Sequence, residues 1–474
     1  SNALDANVDT HGNTAVGYNS LGLNTGEQNT AVGLGSLDAN TSGGYSTAVG
    51  YNALGANTTA GGNTAMGHQA LLACTTGTNN QAFGMAAQGI TTGARNDVFG
   101  YQALLVATTG SDNVMMGFNA GNDITTGYSN TAVGSYSMDV ATDAHNNTMI
   151  GKDTGGGVMT GNGRNVGVGN SAMGSVTSGY QSVAVGLNAL YAFTTGYMNV
   201  AVGSQSLDAL TTGIESTAAG YDSGSATTTG SYNTFLGTYS GGVNTTGASN
   251  TFVGNSSART NTTGNHNTAI GRQALGKDSA AVTGGTNTAL GSGTGNDVTS
   301  GANNTFLGYN SGDANSPSGS VTTGSNQFCL GDNDISDLFC ADTSISSSDE
   351  RDKADITDFT HGLSFVKQLR PVTYKWDKRS WYAGENPTSA DILAAVPDGT
   401  HKKSRVNLGL LAQEVQTLEQ EIGYGNSKED RLVTSLTDDG VNMGLKYERI
   451  VPILVNAIKE LSEEVESLKA QLEE

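Results

Sequence analysis

Proline is nearly missing from this chain: five residues in 474, set against 67 glycines. That balance excludes both a collagen-like architecture and a Pro-rich linker. Cysteine is as scarce. Cys74, Cys329 and Cys340 are too few and too scattered for a disulfide framework or a metal site, and no cofactor is implied. They read as buried thiols, with a Cys329–Cys340 pair the one bridge left open. Charge is sparse and mostly acidic, 22 Lys and Arg against 43 Asp and Glu, for a net charge of −21. A chain so poor in cations is not expected to bind nucleic acid, and its negative surface disfavours anionic membranes. No stretch is apolar enough to suggest membrane insertion.

What is abundant is Gly, Asn and Thr. Without order this composition would mean disorder, but here it is periodic. From His11 to about Leu330 the phrase Asn-Thr-Ala-Val-Gly and its variants recur, with nineteen closing glycines at Gly17, Gly33, Gly50 and so on to Gly291, Gly308 and Gly331. Most successive closing glycines are 17 residues apart, and the exceptions are 16, 18, 20 and 23. Such regularity predicts a solenoid with one coil per repeat. The widest gaps, Gly271 to Gly291 and Gly308 to Gly331, mark loop insertions.

Within a coil the chemistry is legible. Four residues before the glycine stands an asparagine, as at Asn96, Asn113 and Asn130, replaced by Ser46, Ser182 and Ser216 in three coils. Stacking predicts an amide ladder there. Two residues before the glycine the side chain is often small (Ala15, Ala31, Ala48), and the next is Val16, Val32, Val49, Met66, Phe83 or Phe99. These residues read as a short β-strand. An apolar patch follows, as in Asn52-Ala-Leu54, then a Thr-Thr-Gly corner, as at Gly93, Gly110, Gly127 and Gly247. Glycine is expected to supply positive φ at that corner. One coil alone buries almost nothing, so coils must stack, at about 4.8 Å per layer, into a rod on the order of 90 Å long. The pattern resembles the β-roll heads of trimeric autotransporter adhesins over about two thirds of the chain, with longer coils. That resemblance implies a parallel trimer; the repeat alone also admits a monomeric β-helix.

The repeat ends at a seam, Ser-Ser-Ser-Asp-Glu-Arg-Asp-Lys at 346–353. Residues up to Ser347 hold 6 of the basic and 20 of the acidic side chains, leaving 16 and 23 for the 127 that follow. Ser348 precedes Lys353 by five residues, with Asp349 and Arg351 between. A serine nucleophile needs a base, and a lysine acts as one only where burial or a neighbouring cation lowers its pKa. By spacing alone these are solvated linker residues.

Four ordered motifs add more. They are Ser-Ser-Ser-Asp-Glu-Arg-Asp-Lys-Ala-Asp-Ile at 346–356, Leu-Arg-Pro-Val-Thr-Tyr-Lys-Trp at 369–376, Leu-Gly-Leu-Leu-Ala-Gln-Glu-Val at 408–415 and Leu-Lys-Tyr-Glu-Arg-Ile-Val-Pro-Ile-Leu at 445–454. Together they resemble the self-cleaving intramolecular chaperone domain of phage endosialidases, over about the last quarter of the chain. The resemblance implies a Ser348–Lys353 dyad, with Asp349 and Arg351 supporting it, and a cut between Ser347 and Ser348. It implies a single self-cleavage and no activity on external substrates. Residues 378–405, with Trp381, Tyr382 and Pro387, fall outside the resemblance as an insertion.

In the tail, residues 353–376 read as strand, helix and strand around Leu363, Phe365, Val366 and Leu369. Residues 446–474 read as a helix. Leu454, Ile458, Leu461, Val465, Leu468 and Leu472 follow a 4-3-4-3-4 spacing, a heptad seam. Its mostly β-branched a positions lean toward a dimer; both resemblances imply three chains.

The expected fold is mostly β: a trimeric parallel β-roll or solenoid of about 17-residue coils, then a small α+β domain ending in a coiled-coil helix. Residues 1–10 are a lead-in whose Ser1-Asn2-Ala3 reads as a tag scar, 11–345 the solenoid and 346–474 the chaperone. The function implied is a homotrimeric virion tail fibre for host attachment, binding a cell-surface receptor, with a polysaccharide as one candidate. A bacterial cell-surface adhesin is the close alternative. A carbohydrate-degrading enzyme lacks support, because no paired carboxylates stand out. An ice-binding solenoid is suggested by recurrent pairs such as Thr108-Thr109 and Thr211-Thr212, which read first as corner residues. Aromatics after the strand glycine (Tyr18, Tyr51, Tyr101, Phe118, Tyr221, Tyr309) read as inter-coil packing before sugar contacts.

Overall fold

A computed structural model of the chain describes residues 3–7, 9–276, 280–335, 350–384, 387–437 and 439–473. The chain is mostly β, a parallel solenoid of nineteen three-residue strands followed by a small helical and β region. It divides into two compact units, Ser1–Leu290 and Gly291–Glu474.

The first unit holds strands β1 (Thr14–Val16) to β17 (Thr288–Leu290). Each pairs in parallel with the equivalent residues one coil on, as Thr131 with Thr148, Ala132 with Met149 and Val133 with Ile150. Alternation along so short a strand turns only its middle residue inward. Ala31, Ala48 and Ala65 are wholly buried there, as are Met115, Phe235 and Phe252. The first and third residues face out.

The patch after the strand is a turn, not a second strand. Asn52 and Leu54 sit at φ +50° and +51°, and the same pair of left-handed residues recurs at Gln102 and Leu104. A leucine in that conformation costs about 1–2 kcal/mol. Its complete burial returns about 1.5–3 kcal/mol, and Leu54 N–H donates to Ala70 O one coil on at 3.0 Å. Burial wins, so a residue type that avoids this backbone region is used in it coil after coil.

The asparagine ladder is present and buried from Asn29 onward, but its main bonds run to backbone. Asn113 Nδ2 donates to Gly127 O at 3.0 Å, and its Oδ1 accepts the Asn130 backbone N–H at 3.0 Å and Asn130 Nδ2 at 3.1 Å. Each amide thus joins the strand entrance of its own coil to the corner and to the next layer. A second buried column starts as asparagine (Asn24, Asn40, Asn57) and turns apolar at Cys74 and Ile90. Cys74 Sγ contacts Gly77 O at 3.3 Å, in the place of the Asn57 Nδ2 bond to Ala60 O at 3.0 Å. Burial pushes the Cys74 thiol up to about 11, against the opposing effect of the Gly77 hydrogen bond.

The corner glycines correct the sequence expectation. Gly93, Gly110, Gly127 and Gly247 are not at positive φ. A Cβ on Gly93 would lie 2.1 Å from Gly110 O, so the reason for glycine is the close approach of the next layer. Positive φ belongs to the closing glycines: Gly117 has φ +143°, and its Cβ would also lie 2.5 Å from Gly134 O. The first threonine of each pair is committed between layers, as Thr108 Oγ1 to Thr125 O at 3.4 Å and Thr211 Oγ1 to Thr228 O at 3.0 Å.

The second unit begins with two coils, whose strands β18 (Thr305–Leu307) and β19 (Phe328–Leu330) pair in parallel. The tail then forms α1 (Leu363–Gln368), β20 (Val372–Tyr374), α2 (Ser389–Ala394), β21 (Asn407–Gly409), α3 (Ala412–Glu421), β22 (Thr434–Leu436), β23 (Met443–Leu445) and α4 (Ile450–Glu473). β20 pairs antiparallel with β21, and β22 with β23. Phe365, Val415, Val433, Ile450 and Ile453 form the core, and Val366 and Leu369 pack half-buried against it. The strand expected before α1 does not form: residues 353–362 are irregular, with Asp355 at φ +53° and Ile356 exposed. That stretch has no apolar alternation with which to pair. Among the described residues no helix is long and apolar enough to cross a membrane.

Candidate functional site

The cutting residues lie at the edge of what is described. Ser347, Ser348 and Asp349 fall outside the described residues. Arg351 and Lys353 open the tail; both are exposed, and Lys353 N–H closes a single turn onto Glu350 O at 3.1 Å. Lys353, the base of the expected dyad, is thus exposed to solvent in the single chain.

The other motifs converge. The 369–376 motif supplies β20 and the 408–415 motif supplies β21 and the start of α3. Their pairing sets Val372 against Gly409 and Tyr374 against Asn407. The 445–454 motif supplies the start of α4, whose Ile450 and Ile453 reach Phe365 of α1 and Val415 of α3 in one core. Polar bonds fix this assembly. Asn456 Nδ2 donates to Phe359 O at 2.5 Å, and Glu460 Oε2 accepts the Leu363 N–H at 2.6 Å, closing the otherwise uncapped start of α1. Leu410 N–H donates to Tyr447 Oη at 3.0 Å. Glu419 is wholly buried and accepts from Val433 N–H, Thr434 N–H and Thr434 Oγ1, tying α3 to β22. A buried carboxylate is tolerable only with such partners. Arg370 pairs with Glu414 at the surface, which contributes little.

Helix α4 has two faces with different fates. Ile450, Ile453 and Ala457 are buried, while Leu454, Ile458, Leu461, Val465, Leu468 and Leu472 are all exposed, from 40% at Leu454 to 86% at Leu472. The heptad stripe therefore runs down a helix that the single chain leaves uncovered. The outward column of the first unit is a second such surface. The third strand residue is apolar in every coil, and Val16, Val32, Met66, Met116, Ile150 and Val202 are exposed. Beside it, aromatics stack from coil to coil, Tyr51 on His68 at 5.2 Å and Tyr101 on Phe118 at 5.6 Å.

Within residues 378–405 several contacts are local. Thr388 caps α2 in a reciprocal capping box with Asp391. Tyr382 Oη donates to Asp377 Oδ1 at 2.6 Å and accepts the Gly399 and His401 N–H groups at 3.1 and 2.9 Å. Lys403 Nζ lies 4.8 Å from the Trp381 ring centre. Sequence reasoning assigned this stretch no role; its signal was the run of aromatic and basic residues interrupting an otherwise ordered set of motifs.

One family profile, described as the chaperone of endosialidase and belonging to a peptidase family, matches residues 348–424. No curated protein matches the chain, and no solved structure does. The matched span opens at Ser348 and runs past α3, so the tail is similar to a self-cleaving intramolecular chaperone, and the solenoid before it stands outside the match.

Proposed function

We propose that three copies of this chain form a fibre, that the tail from Ser348 onward templates their folding, and that Ser348 with Lys353 then cuts the tail away from the solenoid. The observation that carries this reading is the span of the family match, which begins at the residue following the expected cut. Ser348 Oγ attacks the carbonyl carbon of Ser347 while Lys353 Nζ takes its proton. The peptide nitrogen leaves with that proton and becomes the new amino terminus, and the Ser347 acyl group passes to Oγ as an ester. Water hydrolyses the ester, freeing the Ser347 carboxylate. Asp349 and Arg351 stand between the two in sequence. Lys353 is exposed in the single chain, so the desolvation a lysine base needs comes from neighbouring chains, and cleavage follows assembly.

The trimer is supported by two uncovered apolar surfaces, the heptad stripe of α4 and the outward strand column of the first unit. Contiguous exposed apolar surface of that extent marks an interaction face. Attachment to a host surface, with the chain as a virion tail fibre, is the role that fits a long repeat built by a disposable template. The exposed aromatic columns suit a polysaccharide receptor. A bacterial surface adhesin is the second reading.

Denaturing gels and intact mass test the cut. The native chain is expected to yield two fragments meeting at Ser347 and Ser348, and Ser348→Ala or Lys353→Ala a single full-length chain. A shorter product in either variant, without added protease, would overturn the dyad. Light scattering that gives a monomer mass for both intact and cut protein would refute the trimer.

A further inference from the structure

Two departures from the repeating pattern meet in the second unit. One is the 23-residue spacing from Gly308 to Gly331; the other is the 378–405 stretch that separates the second and third tail motifs. Three tail segments grip the loops of the last coil. Asp439, in the turn between β22 and β23, is the central node. Its carboxylate accepts from Thr437 Oγ1 at 2.6 Å and Val441 N–H at 3.0 Å within its own turn, from Ser389 Oγ of α2 at 3.1 Å, and from the Ser320 N–H of the coil at 2.9 Å. The neighbouring Gly319 leaves no space for a side chain, since a Cβ there would lie 2.6 Å from Asp439 Oδ1. Ser320 Oγ also binds Asp297. Beside this node, Ala314 of the coil packs with Ile392 of α2 and Val441, all at least 95% buried. A second polar contact stands at Asn333, which receives Lys378 Nζ on its O at 3.0 Å and its Oδ1 at 3.1 Å, and donates from Nδ2 to Ser380 Oγ at 3.0 Å.

None of these contacts passes through residues 336–349. We propose that Lys378, Ser380, Ser389 and Ile392, together with Thr437, Asp439 and Val441, are a clamp that recognises the last coil and keeps the severed tail seated on it, so that cutting and departure of the tail are separate events. The partner is the enlarged loop of the chain's own solenoid, and an ordinary 17-residue coil lacks the residues that the clamp holds. In a trimer three clamps act together, so dissociation requires all three to open at once. Burial of the Asp439 carboxylate raises its pKa, but the Thr437, Val441, Ser320 and Ser389 hydrogen bonds outweigh this and hold it below the usual carboxylate range. The node is therefore a charged acceptor at neutral pH.

This inference rests on the proposed cut, and the test separates the two. The full chain is purified and read by denaturing gel for cleavage and by gel filtration for retention. Two fragments that co-elute are the expected result. The Asp439→Ala, Ile392→Asp double variant is expected to cut to the same extent and lose the tail from the fibre peak. If that variant yields no soluble fibre, Asn333→Ala with Lys378→Met is read the same way. A native tail that elutes apart from the fibre as soon as it is cut overturns the clamp, as does full retention in a soluble variant. A chain that gives one band on the denaturing gel contradicts only the self-cleavage. A site-specific protease sequence placed between Ala341 and Ile345 then makes the cut, and co-elution is scored as before.

Discussion

At the residue scale the solenoid depends on side chains that serve the backbone. Asn130 accepts the Asn147 N–H at 3.1 Å through Oδ1 and donates to Ala144 O at 2.6 Å through Nδ2. Asn130→Leu leaves both backbone groups buried without a partner, at about 1–3 kcal/mol each. The loss is expected to be local, since coils in a solenoid contact only their neighbours. Hydrogen exchange should quicken at Asn147 and adjacent coils and stay unchanged several layers away. Cys74 offers the opposite case. The column of Asn24, Asn40 and Asn57 stops there and leaves Asn57 Oδ1 buried without a partner. Cys74→Asn supplies an Nδ2 for that oxygen, as Asn57 Nδ2 does for Asn40 Oδ1 at 2.8 Å. The gain is about 0.5–1.5 kcal/mol, offset in part because the orphan oxygen moves up one coil. The melting temperature is expected to hold or rise slightly. A clear fall would mean that the apolar column beginning at Ile90 does not accept an amide below it.

At the element scale the last helix carries two messages on two faces. Ile458→Asp with Leu461→Asp alters only the exposed stripe. It is expected to abolish assembly while leaving the tail folded, because Ile450, Ile453 and Ala457 still face the core. Ile453→Asp should unfold the tail itself, since a buried carboxylate there has no partner. Circular dichroism of each chain, set beside its mass in solution, separates the outcomes. This helix was legible in the sequence because its heptad positions and its core positions are different residues, each with its own spacing. The solenoid strands were legible for a similar reason: a phrase that recurs with its variants over nineteen closing glycines averages out local ambiguity. Other features were not readable. The cause of each corner glycine lies one coil away, in a carbonyl 2.1 Å from where the Gly93 Cβ would stand. The left-handed leucines contradict local preference and are held by burial that exists only in the stack. The contacts that tie residues 378–405 to the last coil join positions more than forty residues apart, such as Lys378 and Asn333, and no local pattern announces them.

At the scale of the whole molecule the proposed function raises the question of why a fibre would carry a part that it cuts. Coils stack by nearest-neighbour contacts, so three similar chains can meet in many wrong registers, each nearly as good as the right one. Nothing in the repeating phrase marks where to begin. The tail supplies what the repeat lacks. On the proposed reading its heptad stripe brings three chains into one alignment just after the last coil in sequence. Growth from that coil then proceeds toward the amino terminus. If the tail is cut and leaves as proposed, an opened fibre has no template on which to refold and is kinetically trapped. The expected consequence is an asymmetry between making and keeping. A chain ending at Ser347, expressed alone, should aggregate or remain insoluble. The same residues, obtained by cutting the full chain and then stripped of the tail in denaturant too mild to open the solenoid, should stay trimeric and resist heat. If the shortened chain assembles unaided into a trimer of equal thermal stability, the tail is no template, and the register is written in the coils themselves.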